Sequence, residues 1–406
     1  MSEQPSLPRR RLIGYAGTAG AAALAGGVAG RLTAPGPAPV AEPLAEKVIR
    51  QSYSPHEQHQ AGIITPTPAS TRLIAFTLRR KTDAAALQRL LKLWSGDIAA
   101  LMAGEAPPGD PFPETNQPGT SLSITVGLGP GVFELAPLAT RRPVGLVDIP
   151  PLSRDRLQPR WSGGDLLLLI AADDATTVAQ AGRRLVVDAE TFATVAWVQD
   201  GSWRGTDPSG QPLTGRNLFG QVDGTGNPKA QDLEDALWTR NAPTWFAGGT
   251  TLVVRRIEMD LDFWDATTRE RQEKVIGRRL SDGAPLTGSR ESEALNLQAT
   301  DAAGRPVIPV DAHARRSHPT SNGGRRIVRR GVNYTHEQVT DGRLVTSAGL
   351  IFMSFQGDIG TQFVPIQRQL DERDALNDWI SHIGSAVFAI PGGFPAHGYL
   401  AQGLFE

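Results

Sequence analysis

Between residues 72 and 128 the hydrophobic period of the chain changes twice, and this constrains the fold more than any other feature. Arg72 to Leu78 alternates as a strand does. Asp83 to Leu101 then places Leu87, Leu90, Leu91, Trp94, Ile98 and Leu101 at helical spacing, and Ser121 to Leu128 returns to strand. An amphipathic helix between two strands must lay its apolar stripe on one face of their sheet. Asp165 to Ala171 (strand), Ala175 to Val187 (helix) and Thr194 to Gln199 (strand) complete a β-α-β-β-α-β series. The second half repeats the theme with strands at Thr250 to Met259, Gly349 to Gln356 and Ala386 to Ile390, and helices at Thr267 to Arg278 and Phe363 to Ile380. The expectation is α+β, two halves of antiparallel sheet with helices on one face, divided near Thr206 to Gly215.

At 406 residues with 40% hydrophobic content the chain can build a core in each half. With 41 basic and 42 acidic residues no global field gathers nucleic acid or an anionic membrane. The absence of cysteine excludes disulfides, thiolate metal sites and covalent c-type haem, so a bound metal must be held by histidine or carboxylate.

Residues 1–41 are a separate object. Pro8-Arg9-Arg10-Arg11-Leu12-Ile13-Gly14 sets paired arginines before an apolar pair, and Tyr15 to Gly30 is an uncharged run of mostly Ala and Gly, closed by Arg31 and a Pro/Ala segment. The run is too weakly apolar for a membrane anchor, which needs about 20 strongly apolar residues. It reads as an export signal of the twin-arginine type, removed near Ala34 to Ala41, with the translocase as a transient partner and a periplasmic or extracellular destination. Because that route carries folded cargo, it inclines toward a non-covalent cofactor. The remaining chain divides as 42–210 and 211–406.

Two segments concentrate chemistry. In Phe219-Gly220-Gln221-Val222-Asp223-Gly224-Thr225-Gly226-Asn227-Pro228 three glycines let the backbone turn sharply around a single acid, Asp223, which suits either a ligand-facing carboxylate or an Asx turn. The second segment holds His313 and His318 and, by residue 330, the arginines 315, 316, 325, 326, 329 and 330. This is a dense basic cluster in a neutral chain, suited to an anionic ligand or to a solvated loop. His318 precedes Pro319 and is biased to an extended, exposed conformation, so His313 is the better metal ligand.

The segment around Asp223 resembles the GxxDG motif of the dye-decolourising peroxidases. Ala312-His313-Ala314-Arg315 and Arg329-Arg330-Gly331-Val332-Asn333-Tyr334 resemble that family's haem-ligand and distal-arginine segments. Further similarity runs through His59 to Ile63, Ser123 to Gly129, Gly164 to Leu168 and Leu252 to Ile257, so the resemblance spans about residues 56 to 395. The chain departs from the usual pattern at Ala314 to His318 and at Gln221-Val222. The resemblance implies two ferredoxin-like halves, one non-covalent haem b in the C-terminal half, and oxidation of bulky organic donors by hydrogen peroxide. It implies His313 as axial ligand to the iron, with Asp223 and Arg329 on the opposite face as proton carrier and charge stabiliser. Contacts to the haem are implied for Gly224, Phe352 and Asp378, and a carboxylate behind His313 for Asp378 or Asp358. An exported haem-binding protein of iron uptake, of deferrochelatase type, is the alternative, and homo-oligomerisation stays open. Trp264, Trp379 and Tyr334 lie near these motifs, but nothing in the sequence separates relay from packing.

Overall fold

The computed structural model describes residues 51–203 and 214–406. The export reading of residues 1–41 and most of the expected boundary stretch lie outside the described residues.

The first half runs β1 (Ser70–Leu78), α1 (Ala84–Ala103), β2 (Ser123–Leu128), β3 (Leu166–Ala172), α2 (Ala175–Ala189) and β4 (Ala193–Ser202). Asp83 and Asp174 cap the two helices, their carboxylates accepting from the N–H of Ala86 and Thr177. The apolar stripe read from the sequence becomes the inner face of α1: Leu87, Leu90, Leu91 and Trp94 are completely buried, each worth roughly 1.5–3 kcal/mol of burial for the larger aliphatic and aromatic side chains. β3, Leu-Leu-Leu-Leu-Ile-Ala-Ala, shows no alternation because both its faces are covered. Leu166, Leu168 and Ile170 pack beneath the helices, while Leu167 and Leu169 point into the core between the two halves.

The second half contains α3 (Ala230–Leu237), β5 (Thr250–Met259), α4 (Leu261–Asp265), α5 (Arg269–Ile276), α6 (His313–Arg316), β6 (Val328–Thr340), β7 (Arg343–Gln356), α7 (Val364–Arg373) and β8 (Ile380–Ile390). All strand pairings within the sheet are antiparallel, and the order β1-β3-β2-β8-β5-β7-β6-β4 closes into a barrel. Closure is thin. Among the described residues the halves meet edge to edge only at Leu128↔Ala389 and Ser202↔Asn333, so the barrel is two four-stranded sheets face to face over a shared apolar core that includes Leu73, Leu169, Val254, Met353 and Phe388.

Two expectations need correction. β6 was not foreseen as a strand: its Arg329-Arg330 start and polar Thr335–Thr340 end hide the alternation, yet it pairs with β7 along its whole length. The single helix expected over 363–380 is broken. α7 stops at Arg373, Asp374 adopts an extended backbone (φ −93°, ψ 122°), and a short 3₁₀ turn, Ala375–Asp378, follows.

Candidate functional site

The outer face of the second sheet forms the wall of a cavity of about 1550 Å³, counting the space at its open mouth. Ile257 and Met259 from β5 and Leu350 and Phe352 from β7 stand on that face. Ile276 of α5, His313 of α6 and Ile366 and Leu370 of α7 close the other side. Strand alternation thus divides the sheet's labour: Leu252 and Val254 of β5 and Ile351 and Met353 of β7 enter the inter-sheet core, while Ile257, Met259, Leu350 and Phe352 line the cavity.

On the α6 side, His313 Nδ1 donates to Asp374 Oδ2 at 2.6 Å. The other carboxylate oxygen accepts the Leu376 N–H at 2.9 Å, which fixes the acid and the ring that binds it. A carboxylate can only accept, so Nδ1 carries a proton, and in the neutral ring Nε2 is the nitrogen with the free lone pair. Burial disfavours the charged imidazole, but the charge of Asp374 and its hydrogen bond raise His313 above the ordinary histidine value, with Arg329 opposing and Asp223 assisting. The break in the helix therefore has a purpose: a continuous helix would not leave Asp374 free at its end. The carboxylate behind His313 is thus neither of the two expected. Asp358 caps the turn after β7 by accepting from the Thr361 N–H. Asp378 lies in the 3₁₀ turn and does not line the cavity. The expected residue was missed by four positions because the end of α7 has no Gly or Pro to mark it.

On the opposite side, Asp223 sits at the close of a small hairpin loop. Its N–H donates to Gly215 O, and Arg216 is locked to the carbonyls of Gly220, Leu280 and Ser281. Gly224 follows at φ +112°, a conformation in which any side chain would be strained. The Asp223 carboxylate lies 3.3 Å from Arg329 Nη1, with both side chains half-buried. Asp223, Gly224, Arg329, Phe352 and His313 all line the one cavity.

His318 also lines it, with Nδ1 engaged by Thr320. Burial and the neighbouring Arg326 and Arg278 push its pKa down. Arg278, Arg325 and Arg326 complete a basic rim. Sequence reasoning missed His382, a β8 residue on the cavity wall. Burial, with help from Arg255, pushes it down to about 3, so it is neutral, and its Nδ1 has no hydrogen-bond partner. No local pattern around Ser381-His382-Ile383 marks it. Trp264, Trp379 and Tyr334 are buried: Trp264 stacks on Phe219 at 4.4 Å and meets Trp379 edge-on at 5.4 Å.

The site therefore offers one imidazole whose Nδ1 is held by a buried carboxylate, facing a cavity that also presents an acid paired with a guanidinium. Residues 60–203 match the family description "Dyp-type peroxidase, N-terminal", and residues 214–394 match "Dyp-type peroxidase, C-terminal". The chain is 39% identical to a dye-decolorizing peroxidase of Thermobifida fusca over 97% of its own length and 96% of that protein. It is 33% identical to a deferrochelatase of Yersinia pestis over 100% of its length and 96% of that protein. Among solved structures it resembles an oxyferrous complex of DtpA from Streptomyces lividans, with a TM-score of 0.84 at 40% identity, covering 90% of this chain and 100% of that one. The matches run through both halves and through the segments that carry His313, Asp223 and Arg329, and the chain belongs to the Dyp-type peroxidase family.

Proposed function

We infer that the chain is a haem-dependent peroxidase, reducing hydrogen peroxide at the expense of an organic electron donor with haem b as cofactor. The observation that carries the reading is the pairing of His313–Asp374 and Asp223–Arg329 around one cavity.

The residues fit the cofactor. Nε2 of His313 has no hydrogen-bond partner among the described residues, and the Nδ1 bond to buried Asp374 sets the tautomer that leaves it free to ligate. The walls are apolar, as a porphyrin face requires, and the arginines 278, 325 and 326 suit its carboxylate edge. When bound, haem supplies a redox-active iron that is oxidised by peroxide and returns to its resting state by one-electron steps. The protein does the rest. His313 holds the cofactor, and Asp374 makes the imidazole a more electron-rich ligand. Asp223 takes a proton from one peroxide oxygen and gives it to the other. Arg329 stabilises negative charge on the departing oxygen. Removing iron from haem calls for protons at the porphyrin nitrogens and handing on intact haem calls for none, but neither needs a guanidinium beside the acid to take up charge on a departing oxygen, so the Asp223–Arg329 pair favours the peroxidase reading. One equivalent of hydrogen peroxide should change the Soret band of the purified protein within the dead time or the first seconds, and an electron donor should restore it; an unresponsive spectrum would count against peroxidase function.

We further propose that the two halves, residues 42–210 and 211–406, are ferredoxin-like units with haem in the second. Their shared strand order supports this: β4-β1-β3-β2 in the first and β8-β5-β7-β6 in the second. Cavity-lining residues all fall between Asn217 and His382. Residues 1–41 we propose as a twin-arginine signal directing the folded protein to the periplasm or beyond, on the strength of Arg9-Arg10 and the weakly apolar run behind them. Lysine lacks the planar fork of guanidinium donors, so an Arg9→Lys, Arg10→Lys chain should remain in the cytoplasm; export at wild-type level would defeat the signal reading.

A further inference from the structure

The loop that carries Asp223 and the strand that carries Arg329 come from sequence positions about a hundred residues apart; Asn333 of β6 donates to the Arg216 carbonyl at the start of the loop at 2.8 Å, and at Arg329 itself the backbone is held by one side chain, Asn227. Asn227 Nδ2 donates to the Arg329 carbonyl at 2.8 Å, and Asn227 Oδ1 accepts the Arg329 N–H at 2.9 Å. Arg329 faces Ser354 of β7 in the ladder, but its own N–H and C=O turn the other way, toward an edge of β6 that β4 does not cover. Among the described residues β4 reaches β6 only at Ser202↔Asn333. The Asn227 carboxamide takes the place of the missing strand there, offering one donor and one acceptor as a ladder residue would. The Asn227 N–H in turn donates to Gly224 O at 3.0 Å, so the clamp is tied back to the residue after Asp223.

We propose that Asn227 is a positioning residue for the peroxide reaction: it holds the backbone of Arg329 in register with the Asp223 loop, and so sets the 3.3 Å approach of guanidinium to carboxylate. This rests on the reading of Asp223 and Arg329 given above. Two neighbours bear on the geometry. A second cavity of about 410 Å³, counting its open mouth, is lined by Asp223, Gly224, Asn227, Arg329 and Trp203 among others, so the clamp borders open space on this side. Thr225 Oγ1 donates to Glu291 at 2.8 Å and anchors the middle of the loop, and Asn333 Nδ2 holds its start through the Arg216 carbonyl, so Asn227 fixes the end of the loop against β6.

The chemistry of the clamp gives it a signature. Asn227→Asp keeps shape and size, and while its carboxyl is protonated it still offers one donor and one acceptor. Once ionised it can only accept, and it confronts the Arg329 carbonyl with negative charge. The charged groups around it are Asp223, Arg329 and Arg330, which line the same cavity, and Glu291 beyond Thr225. Asn227→Ala can never make the pair.

The test uses haem-loaded protein of normal haem content and stopped-flow mixing with peroxide from about pH 3.5 to 7, a range that brackets an ordinary aspartate value near 3.9. At pH 7 both Asn227 variants should react roughly 10- to 100-fold more slowly, the scale of a misplaced catalytic group. At the acid end Asn227→Asp should recover toward wild type, and Asn227→Ala should not. Hydrogen exchange of the β6 segment, corrected for intrinsic rate, should follow the same pattern. In an Arg329→Leu background neither Asn227 substitution should slow the reaction much further. Equal slowing with or without Arg329, or an Asn227→Asp variant as fast as wild type at pH 7 beside a slow Arg329→Leu, overturns the role of Asn227 alone. An Arg329→Leu variant as fast as wild type overturns the underlying reading of the site, and this role with it.

Discussion

His313→Ala should yield a folded protein that fails to retain stoichiometric haem, or retains it with a spectrum lacking the axial nitrogen. The reasoning is one of elimination as well as geometry. Cysteine is absent from the chain, and among the described residues no cluster of three or more His, Asp or Glu could hold a metal ion by itself. Of the three histidines on the cavity wall, His318 has Nδ1 engaged by Thr320 and belongs to the basic rim, and His382 lies within a strand facing Gln367 at 3.5 Å. Only His313 has a buried carboxylate behind it. Asp374→Asn separates ligation from tuning: the amide oxygen still accepts from Nδ1 while the charge is gone. Haem should then stay bound more weakly, with affinity or activity lower by about 10- to 100-fold, as for other residues that orient a metal ligand. His318→Ala should leave haem content unchanged. Low-temperature EPR and Soret absorption decide the matter, and features in His313→Ala identical to wild type would sink the assignment.

The contrast between what the sequence displays and what it conceals follows from the kind of signal each element carries. α1 was legible because one helix face is buried along six apolar positions, and Asp83 announces its start. β5 was legible because five of its ten residues are Leu, Val, Ile or Met, in a run bounded by glycine and aspartate, which matches the observed Thr250–Met259. β6 was not, since a strand that serves a site replaces apolar positions with functional ones: Arg329 faces the cavity, and Arg330 is buried with its guanidinium on the carbonyl of Ile63. The same holds within the site. His313, Asp223 and Arg329 sit in dense local patterns and were found. Asp374, His382 and Asn227 act through single contacts to residues 61, 15 and 102 positions away, and no window of sequence contains both partners. Closure of the two sheets into a barrel rests on two edge pairs, which is likewise invisible to periodicity.

The division of labour opposite His313 gives the second large effect. Asp223→Asn should slow the first reaction with peroxide by about 10² to 10⁴, the range for a general acid–base group, and Arg329→Leu by about 10² to 10³, that for one charge-stabilising donor, with haem content intact in both. The profiles should differ in shape. Without Asp223 only water carries the proton, so the acid limb of the rate profile flattens. Without Arg329 the carrier remains but the departing oxygen is unsupported, so the whole profile drops. The 3.3 Å contact adds a third expectation: two groups this close act as a unit, and the double variant should be less impaired than the product of the single effects. Stopped-flow measurement of the three variants over about pH 3.5 to 7 spans the ordinary carboxyl value near 4. Rates equal to wild type in both single variants would mean that the pair does not serve peroxide cleavage. That outcome would bring forward the iron-uptake role, since handing on intact haem depends on His313 and the basic rim and makes no demand on charge stabilisation at a departing peroxide oxygen.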